Sequence, residues 1–216
     1  MDDKVKVCQR CVMDTTDPTI KFDENGYCNY CNYALETKKK RCLNNEMGEK
    51  YLNLLVNKIK EENRKKKYDC LIGLSGGLDS SYLAYIMKKE YNLRMLAIHV
   101  DTGWNTKISE SNIKKICNKL NIDLVIEKLN KEEFMDLQRA YFLSGVPTQD
   151  NPQDHMFQAV LFKYARINKI KYFLSGANFS TESILQKGNS YIAADRVNLL
   201  DIHKKYGRIE IKTLPS

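Results

Sequence analysis

The segment Tyr68-Asp69-Cys70-Leu71-Ile72-Gly73-Leu74-Ser75-Gly76-Gly77-Leu78-Asp79-Ser80-Ser81 decides the fold. Residues 68–74 form a short apolar run stopped by glycines, which predicts a buried strand. Residues 80–91 follow with Leu83, Ile86 and Met87 at helical spacing, so a helix begins at the end of the turn. Between the two, Gly76 and Gly77 let backbone N–H groups converge, and the helix N-terminus adds a partial positive charge. Ser75, Ser80 and Ser81 supply hydroxyl donors, so the turn makes a cradle for a phosphate or pyrophosphate. Asp79 adds a carboxylate where a Mg²⁺ carried by those phosphates would sit. The turn is neither a Walker A loop, because no lysine follows the glycines, nor a G-x-G-x-x-G fingerprint.

Outward from this turn the chain alternates. Residues 95–100 and 123–129 read as strands, with residues 109–120 as the helix between them. Residues 131–143 and 153–168 read as helices, and residues 171–174 as a fourth strand. Such alternation predicts an α/β fold, a parallel sheet with helices on both faces. The second strand ends in His99-Val100-Asp101-Thr102-Gly103, and ligands of open α/β sheets collect outside the carboxyl ends of strands. A histidine there also reads as an ordinary packed core residue.

The chain has 216 residues, 43% hydrophobic and 29% charged, enough for a core without staples. That composition excludes a disordered, collagen-like or disulfide-only protein. No apolar run approaches the roughly 18 residues of a membrane span, and the start lacks the apolar core of a secretory signal. A cytoplasmic protein with no membrane partner is expected. The net charge is +8, from 35 Lys+Arg against 27 Asp+Glu. Much of the excess lies in Lys38-Lys39-Lys40-Arg41 and Arg64-Lys65-Lys66-Lys67, which read as solvated surface, so nucleic acid is not expected as a partner.

Residues 1–45 differ from the rest. Cys8-x2-Cys11 and Cys28-x2-Cys31 form two knuckles separated by residues 12–27, a pattern that suits a tetrahedral structural Zn²⁺. Cys42, Cys70 and Cys117 have no partner in sequence, and Cys70 reads as a core filler. Three parts are therefore expected: a zinc-ribbon-like module over 1–45, a basic amphipathic linker helix over 46–67, and the sheet domain over 68–216.

The heptapeptide from Ser75 to Ser81 resembles the SGGxDS loop of the N-type ATP pyrophosphatases. The resemblance implies an adenine nucleotide alpha hydrolase-like fold and cleavage of ATP to AMP and pyrophosphate. Further segments narrow it: Cys8-Gln9-Arg10-Cys11-Val12-Met13-Asp14-Thr15, Val100-Asp101-Thr102-Gly103-Trp104-Asn105, Phe134-Met135-Asp136-Leu137-Gln138-Arg139-Ala140, Pro152-Gln153-Asp154-His155, Ser175-Gly176-Ala177-Asn178 and Ile202-His203-Lys204-Lys205-Tyr206-Gly207. In this order they resemble the N-acetyl sugar amidotransferases, which make acetamidino sugars for O-antigens and flagellin glycans. That family implies ATP, Mg²⁺ and a nucleotide-linked N-acetyl sugar. The chain shows no glutaminase signature, so ammonia is expected from a separate glutaminase.

The resemblance also implies roles. Ser75, Gly76, Gly77, Asp79, Ser80 and Ser81 would hold pyrophosphate and Mg²⁺, with His99 and Asp101 near the adenosine. Trp104 and Asn105 would pack on nucleotide or sugar, although a structural Trp reads equally well. Asp154 and His155 would act with Asp79 in catalysis at the acetamido group or the leaving phosphate, and Asp154 reads equally as a helix cap. Asn178 and Glu182 would face ATP or form a capping pair, and Lys212 would reach a phosphate. Residues 184–191 lack the Pro and Trp of the family. The family continues past this point, so a chain truncated at its C-terminus is expected. Two alternatives remain: a tRNA-thiolating relative, and a non-catalytic nucleotide-binding subunit.

Overall fold

The structure, a computed structural model, describes residues 5–184 and 192–215. These divide into two compact units, one formed by residues 1–54 and 177–190, the other by residues 55–176 and 191–216. Among the described residues no helix is long and apolar enough to cross a membrane.

The larger unit holds a parallel sheet of β1 (Cys70–Gly73), β2 (Met95–Asp101), β3 (Asp123–Lys128) and β4 (Phe173–Leu174), in the order β3-β2-β1-β4. Right-handed crossovers explain where the helices go. From β1 to β2 to β3 the chain steps in one direction, through α3 (Leu78–Lys89) and α4 (Lys107–Leu120), which pack together on one face. It then reverses past β1 to β4 through α5 (Lys131–Ser144) and α6 (Asn151–Ile167), and α6 covers β1 and β2 on the other face. β2 is buried along nearly its whole length, and it reads as an apolar run interrupted only by His99 because both its faces are covered. Leu71, Leu96, Ile98 and Val100 pack against Val160 of α6.

Local chemistry sets the helix ends. Thr106 caps α4 through the Ser109 N–H at 3.1 Å, and Asn121 closes it in the left-handed conformation. Asn130 caps α5 through the N–H groups of Glu132 and Glu133, and Gly145 ends it.

A second cluster joins α5 to α8 (Arg196–Tyr206) through Phe134, Leu137, Tyr141, Leu199 and Ile202. The sequence reading contains no counterpart of α8. Two carboxylates of α5 anchor the segment that follows it. Glu133 Oε2 accepts the N–H groups of Lys212, Thr213 and Leu214 at 2.9–3.1 Å. Asp136 Oδ2 accepts those of Arg208 and Ile209, with His203 Nε2 at 3.0 Å.

In the smaller unit, α1 (Asn29–Arg41) fills the second half of the expected zinc-ribbon-like module over 1–45, and Cys28 is its cap. α2 (Glu46–Glu62) follows, shorter than the expected helix over 46–67, and the division between units falls inside it. The unit also contains the short α7 (Phe179–Glu182).

Candidate functional site

β1 delivers the chain to the turn, and the Leu74 N–H donates to the Ile98 carbonyl at 2.9 Å. Gly76 adopts φ +80°, and a Cβ there would stand 2.5 Å from the Ser109 carbonyl oxygen, so the position admits only glycine. Asn112 Nδ2 donates to the Gly76 carbonyl at 3.3 Å, so α4 holds the turn from behind. Ser75 Oγ lies 3.2 Å from Ser80 Oγ and accepts the Gly77 N–H at 3.3 Å. Gly77 caps α3 with extended backbone and offers no side-chain acceptor to the first-turn N–H groups. Those donors, the serine hydroxyls and the exposed Asp79 carboxylate are the groups that would hold a polyanion and its cation. The oxygen-only donor set fits Mg²⁺, which takes one or two carboxylates plus phosphate oxygens.

Next to the turn, a crevice of about 240 Å³ lies where the strand order reverses between β1 and β4. Leu74, Ser75 and Ser80 form one wall, Leu174, Ser175 and Gly176 the other, and Phe157 and Leu161 of α6 close it. A Cβ on Gly176 would come within 3.2 Å of Ser80 N, so the chain after β4 presses against the start of α3. The site residues quoted from sequence do not include Gly176, Phe157 or Leu161. The signal was present: Asp154, Phe157 and Leu161 share one face of α6. Asp154 lies one turn N-terminal to Phe157 on α6 and is exposed. Desolvation and the charge of Asp150 raise its pKa.

His99 is buried, and both ring nitrogens are engaged. The Leu74 carbonyl, 2.8 Å from Nδ1, can only accept, so Nδ1 carries the proton. Nε2 therefore accepts from Asn105 Nδ2 at 3.0 Å, and Asn105 also donates to Asp101 Oδ1 at 2.9 Å. The Gly103 N–H donates to the same carboxylate oxygen. The structure thus joins His99, Asp101 and Asn105 in one strut that ties the exit of β2 to the start of the turn. Trp104, within this bend, is 60% exposed.

His155 is buried on α6, its Nδ1 2.7 Å from the Ala193 carbonyl. The same logic leaves its Nε2 unprotonated in the neutral ring, and among the described residues that atom has no partner. Lys212 lies in the segment anchored on α5, with Nζ 3.3 Å from Glu210. The Asn178 N–H donates to Glu182 Oε2 at 3.1 Å, the reach-back half of a capping box. Residues 185–191, most of the segment lacking Pro and Trp, lie outside the described residues.

The smaller unit brings Cys8, Cys11, Cys28 and Cys31 together, with all four Sγ atoms within 4.8 Å of one another. Cys8 and Cys31 are 3.8 Å apart and Cys11 and Cys28 3.6 Å. A tetrahedron with Zn–S bonds of about 2.3 Å has an edge of about 3.8 Å, so the donor set fits zinc. Burial pushes the Cys8 thiol up, but N–H groups of Arg10, Cys11 and Cys28 outweigh it and hold the pKa at about 6. The Arg10 guanidinium lies 3.6 Å from Cys31 Sγ and offsets part of the thiolate charge.

A family model described as a PP-loop domain matches residues 44–142, from the approach to α2 through most of α5. The glutamine-hydrolysing GMP synthase of Fusobacterium nucleatum is 30% identical over 116 residues, 54% of this chain and 22% of that protein. A tRNA-specific 2-thiouridylase of the same organism is 30% identical over 119 residues, 52% of this chain and 34% of that protein. The chain thus spans 22% and 34% of the length of these two relatives. The NH3-dependent NAD synthetase from Campylobacter jejuni superposes with a TM-score of 0.46 and 18% identity, over 75% of this chain and 79% of that one.

Proposed function

We propose that the chain, with its PP-loop domain match over residues 44–142, is an ATP-dependent amidotransferase that forms AMP and pyrophosphate in the cytoplasm. Its acceptor is the acetamido group of a nucleotide-linked N-acetyl sugar, and its ammonia comes from a partner glutaminase. The observation that carries the ATP part is the polyanion cradle opening beside an apolar crevice at the strand-order reversal. The sugar and the partner rest on the resemblance of the ordered segments from Cys8 to Gly207.

The chemistry balances in two steps. The acetamido oxygen attacks the α-phosphorus of ATP, pyrophosphate leaves, and an O-adenylyl imidate forms. Ammonia adds to the imidate carbon, AMP departs with the C–O electron pair, and an acetamidine remains. An amide is a poor electrophile, and conversion of its oxygen to a phosphate leaving group removes that obstacle. Backbone N–H groups around Gly76 and Gly77, with the Ser80 and Ser81 hydroxyls, stabilise the departing pyrophosphate. Asp79 would hold the Mg²⁺ that neutralises charge on the phosphates. Asp154, with its raised pKa, takes the proton that the added ammonia must lose. His155 Nε2 offers an acceptor beside it in sequence. Zn²⁺ on the four cysteines is structural, because a closed tetrathiolate leaves no open coordination position.

Thiolation through a protein-bound sulfur needs an accessible, ionisable thiol. In the larger unit Cys70 and Cys117 are buried, and burial pushes their pKa values up to about 12 and about 11. This disfavours the thiolating alternative. AMP release with ammonium and UDP-linked acetamido sugars tests the proposal. Sugar-dependent AMP supports it; AMP that depends on tRNA instead replaces it with thiolation; ATP binding without AMP formation leaves a nucleotide-binding subunit.

A further inference from the structure

α3 and α4 pack side by side, and both start at the turn, where Gly77 caps α3 and Gly76 meets Ser109 of α4. Their outer faces carry stripes at the same helical spacing. On α3 these are Leu78, Tyr82, Tyr85 and Lys89; on α4 they are Ile108, Asn112, Lys115 and Lys119. Leu78 is 82% exposed, although it is a large apolar residue. Between the stripes runs a groove of about 690 Å³, larger than the crevice beside β4 and bounded at one end by Gly76, Gly77 and Ser81 of the turn.

The lining of the groove is asymmetric. Leu78 and Tyr85 give it an apolar wall, with Ile116 and Leu120 beneath, while Lys89, Lys115 and Lys119 edge its far half. Among the described residues no carboxylate lines it. Among the described residues none of the three lysines forms an ion pair. Apolar side chains left open beside unpaired cations form the complement of one kind of surface: an apolar stripe flanked by acids.

We propose that this groove docks an acidic amphipathic helix from a partner polypeptide, with its leucine-like face on Tyr85, Ile116 and Leu120 and its carboxylates on Lys89, Lys115 and Lys119. A nucleic acid would satisfy the lysines yet leave the apolar wall uncovered. A second copy of this chain is a poor complement, since the chain carries +8 overall. Gly76, Gly77 and Ser81 line the groove and also belong to the cradle, while Ser75 and Ser80 line the crevice, so the occupant reaches the edge of the phosphate site. The proposal depends on the groove alone and not on which acceptor the enzyme uses.

The test is fluorescence anisotropy on the full chain, without ATP. The probe is a labelled helical peptide with leucines along one face and glutamates on both flanks. Saturable binding is expected for the wild type. Lys115→Glu/Lys119→Glu should weaken it at least about tenfold, while Lys115→Arg/Lys119→Arg retains it. A scrambled peptide of the same composition should not bind, and Lys38→Glu/Lys39→Glu, an equal charge change on α1, should leave binding intact. Circular dichroism melts establish that each variant is folded. Absent peptide binding, equal binding of the scrambled peptide, or an equal loss in the α1 variant overturns the proposal. So does single-stranded RNA that binds in place of the peptide and is lost on the same α4 reversal.

Discussion

Gly76 stands so close to Ser109 that a methyl group on its α-carbon would lie 2.5 Å from the Ser109 carbonyl oxygen. The cradle therefore owes its shape to α4 as much as to its own glycines. Gly76→Ala would have to move the turn away from α4 and accept a left-handed backbone, at a cost of about 1–3 kcal/mol. Lowered thermal stability with loss of AMP formation is expected. An alanine variant with wild-type melting and turnover would contradict the close approach.

Among the described residues the Asp79 carboxylate forms no hydrogen bond or ion pair, and it is exposed on the first turn of α3. Asp79→Ala should reduce AMP formation on the order of 100-fold or more, through loss of electrostatic stabilisation at the phosphates. Its melting curve and metal content should match the wild type. Retained AMP formation would remove the cradle from the mechanism.

The crevice can be filled deliberately. Leu161→Trp directs an indole into a space of about 240 Å³, so it should weaken binding of a non-hydrolysable ATP analogue by at least about tenfold with little change in stability. Calorimetric titration reads the affinity. Unchanged affinity would move the nucleotide elsewhere.

The carboxylates that anchor residues 208–214 predict an acid response. Burial acts to raise the pKa values of Glu133 and Asp136, but the backbone N–H groups they accept outweigh it and hold both below their ordinary 4.5 and 3.8. A depressed carboxyl stabilises the fold fully above its ordinary value, and that contribution is lost as pH falls through the folded value. Stability should therefore drop below about pH 4.5. Glu133→Gln should cost roughly 2 kcal/mol at neutral pH, flatten that drop and speed amide exchange at residues 212–214. Equal exchange rates in variant and wild type would count against the anchor.

The four-cysteine cluster should yield one zinc per chain by elemental analysis. Strong chelators, or pH low enough to protonate the thiolates, should release it and lower helical circular dichroism, because α1 starts at the ligand Cys28. Cys11→Ser should lose the metal. A full helical signal from the zinc-free protein would show that the cluster is dispensable for folding.

What sequence made legible follows the range of the forces involved. The cradle and β1 to β3 are local: apolar runs, glycines and a helix start written in consecutive residues. α8 was illegible because only Leu199, Ile202 and His203 of it are buried. α1 is masked by its terminal lysines, with Tyr30, Cys31 and Ala34 as its buried face. The partners of Glu133 and Asp136 lie some seventy residues or more downstream, and no local pattern pairs a carboxylate with distant backbone amides. His99 shows the same limit: its strand position is readable, but its bond to the Leu74 carbonyl exists only once β1 and β2 are aligned.

The pairing of β4 with β1 has a consequence for the order of assembly. Cys70 meets Met95 after a short crossover, whereas Leu71 meets Phe173 only after α5 and α6 have been made. The entropy of closing the longer loop must be met before the two-residue contact returns anything. β4 therefore joins last, and with it the far wall of the crevice. On a ribosome, the cradle can be complete while the crevice beside it is still half built, so a nascent chain carries the turn before the wall that faces it.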